Sequence, residues 1–87
     1  IRIRAMLLLG KCYDAKNMHD MALRQLEEAN KELIEMNDTK KEILYMIGLL
    51  YEKLGKKEES LAAFQQIYDA EYGYRDVARR VESSYGS

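Results

Sequence analysis

Apolar residues recur at helical spacing from the first turns of the chain. Met6, Leu9 and Tyr13 share one stripe, and Leu44, Ile47, Tyr51 and Leu54 share another. Each set gives a helix one apolar face at the 3.6-residue period. A second stripe follows each of these: Ala22, Leu26, Ala29 and Leu33 in the first case, Ser60, Phe64 and Ile67 in the second. Between the stripes of each pair stand Asn17 and Gly55, residue types that tolerate the left-handed conformation that ends a helix. Asp20 in one copy and Glu58-Glu59 in the other then come where the positive end of a helix dipole favours a carboxylate. The pattern predicts helix, turn and helix, written twice.

Laid over the second half, the first half aligns Leu9-Gly10-Lys11-Cys12-Tyr13 with Ile47-Gly48-Leu49-Leu50-Tyr51 at an offset of 38 residues. The match continues without a gap through Ala22 over Ser60, Leu23 over Leu61, Leu26 over Phe64 and Ala29 over Ile67. Self-similarity at a fixed period marks a stacked repeat architecture. Gly10 with Ala22, and Gly48 with Ser60, are the small residues that let two antiparallel helices approach closely. The first unit's second helix is expected to run on through Leu33, Ile34 and Met36 to Asn37-Asp38, with Thr39-x-x-Glu42 as a capping box opening the next helix. Ala78-x-x-Val81-Glu82-x-x-Tyr85 repeats the pattern once more, Tyr85 standing 34 residues after Tyr51. Glu82 occupies the glycine position there. A glycine is required only where a further helix packs closely, so this segment, entered through Gly73, is expected to be a capping helix with a polar outer face.

These residues resemble the tetratricopeptide repeat, whose signature runs W-x-x-L-G-x-x-Y, then A-x-x-x-F, then P, with a period of about 34 residues. Here it reads Met6-x-x-Leu9-Gly10-x-x-Tyr13 with Ala22-x-x-x-Leu26, and Leu44-x-x-Ile47-Gly48-x-x-Tyr51 with Ser60-x-x-x-Phe64. Met6 and Leu44 replace the Trp, no Pro closes either repeat, and the first repeat is longer by about one helical turn. The resemblance implies an all-α fold, a right-handed superhelical stack of antiparallel helix pairs. It would form one domain over 1–87, with repeat 1 at about 3–37, repeat 2 at about 39–72 and a capping helix at about 74–85. Tyr74-Arg75-Asp76-Val77 is also similar to the closing helix of some bacterial arrays of this family.

In the resembled family the first helices line a concave groove that holds a protein or peptide. The resemblance carries that groove onto Arg4, Leu7, Lys11 and Asp14, then Glu42, Tyr45, Leu49 and Glu52, then Asp76, Arg79 and Ser83. The candidate partner-binding residues are therefore Leu7, Lys11, Asp14, Tyr45, Leu49, Glu52 and Arg79, with Tyr45 and Leu49 as apolar anchors inside a charged rim. The other reading of Leu7, Tyr45 and Leu49 is packing against neighbouring helices. Some family members clamp a C-terminal carboxylate with Lys, Asn and Arg. Only Lys11 and Arg79 match such parts, while Leu7, Met46 and Leu49 stand where polar groups are needed.

Composition narrows the function classes. The 87 residues are enough for one domain of marginal core. Proline is absent, in keeping with an all-helical chain. Lys and Arg total 14 against 15 Asp and Glu, interspersed, so no single-sign field invites nucleic acid or anionic lipid. The basic pairs Lys40-Lys41, Lys56-Lys57 and Arg79-Arg80 are each diluted by acidic neighbours. No apolar run approaches the ~20 residues of a membrane span. The single Cys12 can form no internal disulfide; it is read as a small buried hydrophobe, and a cytoplasmic setting fits without being required. His19 has no nucleophile beside it and is read as a solvated turn residue. Cys12, His19 and Asp20 make no metal set. Glu27-Glu28 and Glu58-Glu59 are read as solvated charge, and the glycines form no phosphate loop.

No enzyme activity, cofactor or metal is expected. The reading is a protein-protein interaction scaffold with a protein or peptide partner; the alternative is an oligomerisation or regulatory segment of a larger enzyme or receptor. Because the chain opens without an initiator Met, it is read as an excerpt whose preceding part continues the fold. Ile1, Ile3, Met6, Leu7, Leu8 and Leu9 make the first helix apolar on more than one side, so self-association through that helix is expected.

Overall fold

The computed structural model describes residues 2–85; Ile1, counted above in the apolar first helix, lies outside them. The described residues form five helices and no strand: α1 at Arg2–Ala15, α2 at His19–Glu32, α3 at Asp38–Lys53, α4 at Lys57–Ala70 and α5 at Val77–Tyr85. Each helix packs on the next in chain order, so α1–α2 and α3–α4 are hairpins and α5 closes on α4.

The two hairpin turns are built alike. Asn17 and Gly55 take positive φ, 61° and 77°. That bend lets the Met18 amide return to the Tyr13 carbonyl at 2.8 Å and the Lys56 amide to the Tyr51 carbonyl at 2.9 Å, satisfying carbonyls left over at the helix end. At the entrance to α5 the positive φ falls on Arg75, at 43°, and not on Gly73.

The connection between the hairpins departs from the expected long helix. α2 ends at Glu32, Leu33 is extended, and residues 33–37 are non-helical. Two side chains end the helix there. Lys40 Nζ donates to the carbonyls of Asn30 at 3.1 Å and Leu33 at 2.6 Å, the acceptors a further turn would have used. Asn37 Oδ1 accepts from the Lys40 amide at 2.8 Å, making Asn37 the N-cap of α3; Thr39 does not cap it. Asn37→Ala is therefore expected to lose about 1 kcal/mol in chemical denaturation and Thr39→Ala far less.

The core lies where α2, α3, α4 and α5 meet. Ala22, Leu26, Ala29, Ile43, Leu44, Ile47, Leu50, Phe64, Ile67, Val77 and Val81 are all buried. Two glycines set the hairpin spacing. A Cβ on Gly10 would stand 2.8 Å from Leu26, and one on Gly48 2.6 Å from the Phe64 ring. Ser60 Oγ, buried, donates to the Gly48 carbonyl at 2.7 Å. α1 contributes far less: Gly10 is its one buried residue, Leu9 is 44% exposed where its counterpart Ile47 is 4%, and Cys12 is exposed and not a core residue. α3 is covered by α4 and also by α2, whereas α1 has α2 alone among these neighbours.

Candidate partner-binding face

The expected face is built from α1, α3 and α5, and its charges are joined from helix to helix. Lys11 Nζ lies 3.2 Å from Glu42, and Lys53 Nζ 2.9 Å from Asp14, linking α1 to α3. Arg80 Nη1 lies 2.8 Å from Glu52, linking α3 to α5. Arg79 Nη2 lies 2.9 Å from Asp76, just before α5. Of the seven candidate residues, Lys11, Asp14, Glu52 and Arg79 thus all have partners within the chain. Leu7 and Leu49 are half-buried and pack against the core cluster.

Tyr45 is a core residue, only 9% exposed. Its ring meets Phe64 and Tyr74 edge-on, at 5.5 and 6.1 Å between centroids, and the Arg75 guanidinium covers it at 4.9 Å. The Tyr45 hydroxyl donates to Asp76 Oδ1 at 2.6 Å. Burial, reinforced by that carboxylate, raises the Tyr45 pKa. The bond from Tyr45 is the largest influence holding Asp76 below the usual carboxylate range, against its own partial burial and with help from Arg80. Tyr45 therefore packs as in the second of its two readings, joining α3 to Asp76 at the entrance to α5, and Leu49 stays half-buried on the same face.

Other sequence readings also change once side chains are placed. His19 opens α2, with Nδ1 3.4 Å from Asp14 and its side chain only 23% exposed, so it is not a solvated turn residue. Glu27 accepts a hydrogen bond from the Tyr51 hydroxyl and is not free surface charge. Lys41 pairs with Glu71 at 2.7 Å. Among the described residues no group of His, Cys, Asp and Glu could hold a metal ion, and no helix is long and apolar enough to cross a membrane.

Two depressions mark the surface, one away from the expected face and one bordering it. One, of about 280 Å³, opens between α2 and α4, with Leu44, Ile47 and Ala63 in its floor and Glu27, Lys31, Glu59 and Gln66 at its rim. The other, of about 200 Å³, lies between α3, α4 and α5 beside Glu52, Phe64 and Arg80. Periodicity alone could not find the first, because it is shaped by residues from both repeats.

Comparison with known families gives two matches, both described as tetratricopeptide repeat: residues 4–32 match one model and residues 41–72 another. No curated protein and no solved structure matches the chain.

Proposed function

Since the chain belongs to the tetratricopeptide repeat family, whose repeats mediate protein-protein interaction, we propose that it is a non-catalytic scaffold holding a peptide or protein segment against the α1–α3–α5 face. The observation that carries this reading is the pairing of charges along that face, Lys11 with Glu42, Asp14 with Lys53 and Glu52 with Arg80. With Leu7 and Leu49 half-buried between these pairs, the face suits a segment that docks apolar side chains on a neutral ridge. A free C-terminal carboxylate is a poorer fit, because Lys11 and Arg79 already face carboxylates. A second reading rests on the α2–α4 depression, whose apolar floor and polar rim are those of a docking cleft.

Selection from a displayed random-peptide library separates the two. Peptides enriched on the wild-type chain are expected to be apolar and near-neutral, and to bind at least ~10-fold more weakly to a Leu7→Ala, Leu49→Ala variant, a loss of ~1.4 kcal/mol. Ala62→Arg, at the exposed lip of the α2–α4 depression, is expected to leave their binding intact. The reverse pattern, with the helical signal preserved in both variants, moves the site to the depression.

A further inference from the structure

The carboxylates of this chain are not equally matched. On the α1–α3–α5 face Asp14, Glu42, Glu52 and Asp76 each have a cation within 3.2 Å. The depression between α2 and α4 is different. Glu27 of α2 and Glu59 of α4 both line it, and among the described residues neither is paired with a cation. Glu27 accepts a hydrogen bond from the Tyr51 hydroxyl of α3. That hydroxyl is pushed up to about 12, first by the bond itself, then by burial and by the charges of Glu27 and Glu59, so both carboxylates act on one point in the cleft. Lys31 also lines it, but its side chain is 72% exposed and lies 3.5 Å from Glu28.

An acceptor without a donor belongs to the same wall. Asn30 lines the depression; its backbone carbonyl is taken by Lys40 at 3.1 Å, while its side-chain Oδ1 is buried and accepts no hydrogen bond among the described residues. A buried oxygen left so calls for a donor from outside the fold. The floor of Leu44, Ile47 and Ala63 is apolar. At about 280 Å³ the space falls just short of the ~300 Å³ at which pockets for drug-sized ligands begin. It suits one long side chain better than a cofactor or a helix.

We propose that this cleft binds one arginine side chain of a partner protein segment. The methylene stem lies on Leu44, Ile47 and Ala63, the guanidinium reaches Glu27 and Glu59, and the Asn30 amide turns its unpartnered oxygen to the same group. Chemistry selects this occupant. An apolar side chain would desolvate two carboxylates and give neither a partner, and an acidic one would add a like charge. Lysine carries a compact, strongly hydrated charge, whereas the planar guanidinium offers a fork of N–H donors that can serve both carboxylates and the amide oxygen at once. The inference rests on the second reading above, in which the α2–α4 depression is a docking cleft, and it is independent of what occupies the α1–α3–α5 face.

The test uses the intact chain and, as probe, acetyl-arginine methylamide, followed by NMR at the Asn30 side-chain amide and the Tyr51 ring. Millimolar affinity is expected, the scale of a single side chain freed from its segment. The citrulline analogue, equal in shape and uncharged, is expected to bind at least ~10-fold more weakly, and the lysine analogue several-fold more weakly. Glu59→Gln, and Glu27→Gln, which keeps an acceptor for Tyr51, are each expected to weaken the arginine probe about fivefold. Ala62→Arg, which sets a guanidinium of the chain's own at the lip, is expected to abolish binding, and the Leu7→Ala, Leu49→Ala variant to leave it unchanged. Four results would overturn the proposal. Equal binding of the arginine probe and either analogue denies recognition of a guanidinium. Binding that survives Glu27→Gln combined with Glu59→Gln puts the probe elsewhere. A chain that dimerises and is dissociated by the probe assigns the arginine to a second copy. No binding of the probe, in a chain whose library peptides still depend on Leu7 and Leu49, removes this site and leaves the α1–α3–α5 reading standing.

Discussion

Replacing Gly48 by Leu is expected to cost about 3 kcal/mol of folding stability, whereas the same replacement at Glu82, the equivalent position of α5, costs less than ~1 kcal/mol. At Gly48 the first added atom already falls 2.6 to 3.0 Å from three carbons of the Phe64 ring. Phe64 is 2% exposed and held edge-on by Tyr45, so the ring must move or the α3–α4 hairpin must open. Opening also stretches the bond from Ser60 to the Gly48 carbonyl. Leu recovers some helix propensity relative to Gly, roughly 1 kcal/mol, which does not offset a clash of this kind. Glu82 is exposed, and its contact is the hydrogen bond it accepts from Tyr68 at 3.0 Å, a surface interaction of small worth. Urea midpoints at unchanged slope measure both. Equal losses at the two positions would remove the distinction between a packed glycine and a cap.

That contrast also marks what the sequence discloses. The repeat offset and the 3.6-residue period gave the hairpins, their turns at Asn17 and Gly55, and the second-helix core of Ala22, Leu26, Ala29, Phe64 and Ile67, because these depend on contacts at fixed short separations. The end of α2 was harder. Leu33 and Met36 continue the apolar period, yet the helix stops at Glu32 because Lys40 and Asn37 supply competing hydrogen bonds from beyond it. Cys12 and Leu9 look like core by local pattern, as Leu50 and Ile47 are; they differ only in which helix lies across them, and no local signal carries that. For Tyr45 the sequence left two readings open, groove anchor or packing against neighbouring helices, and its bond to Asp76 was not legible, since that carboxylate lies 31 residues away. The ion pairs that neutralise this face have the same long-range origin.

Asp76 is where α5 is held, and Asp76→Ala is expected to lose about 2 kcal/mol, concentrated in that helix. One carboxylate accepts from the Tyr45 hydroxyl at 2.6 Å, from Arg79 at 2.9 Å and from Arg80 Nε at 3.0 Å, and it stands just before Val77, where the α5 dipole favours negative charge. Removing it strands the Tyr45 hydroxyl in the core and leaves Arg80 with Glu52 alone. Hydrogen exchange should therefore speed up across 77–85 more than in α2 or α3. The pH dependence has a definite sign. The Asp76 pKa is lower folded than unfolded, so its contribution is complete above the ordinary carboxylate range and is lost as the pH falls through that range and on to the folded value. The stability gap between wild type and Asp76→Ala is widest at neutral pH and narrows in acid. Tyr45→Phe removes one of the three bonds and keeps the ring against Phe64, so it is expected to show a smaller gap with the same acid dependence. A gap that stays constant into acid would mean that Asp76 acts through packing and not through its charge.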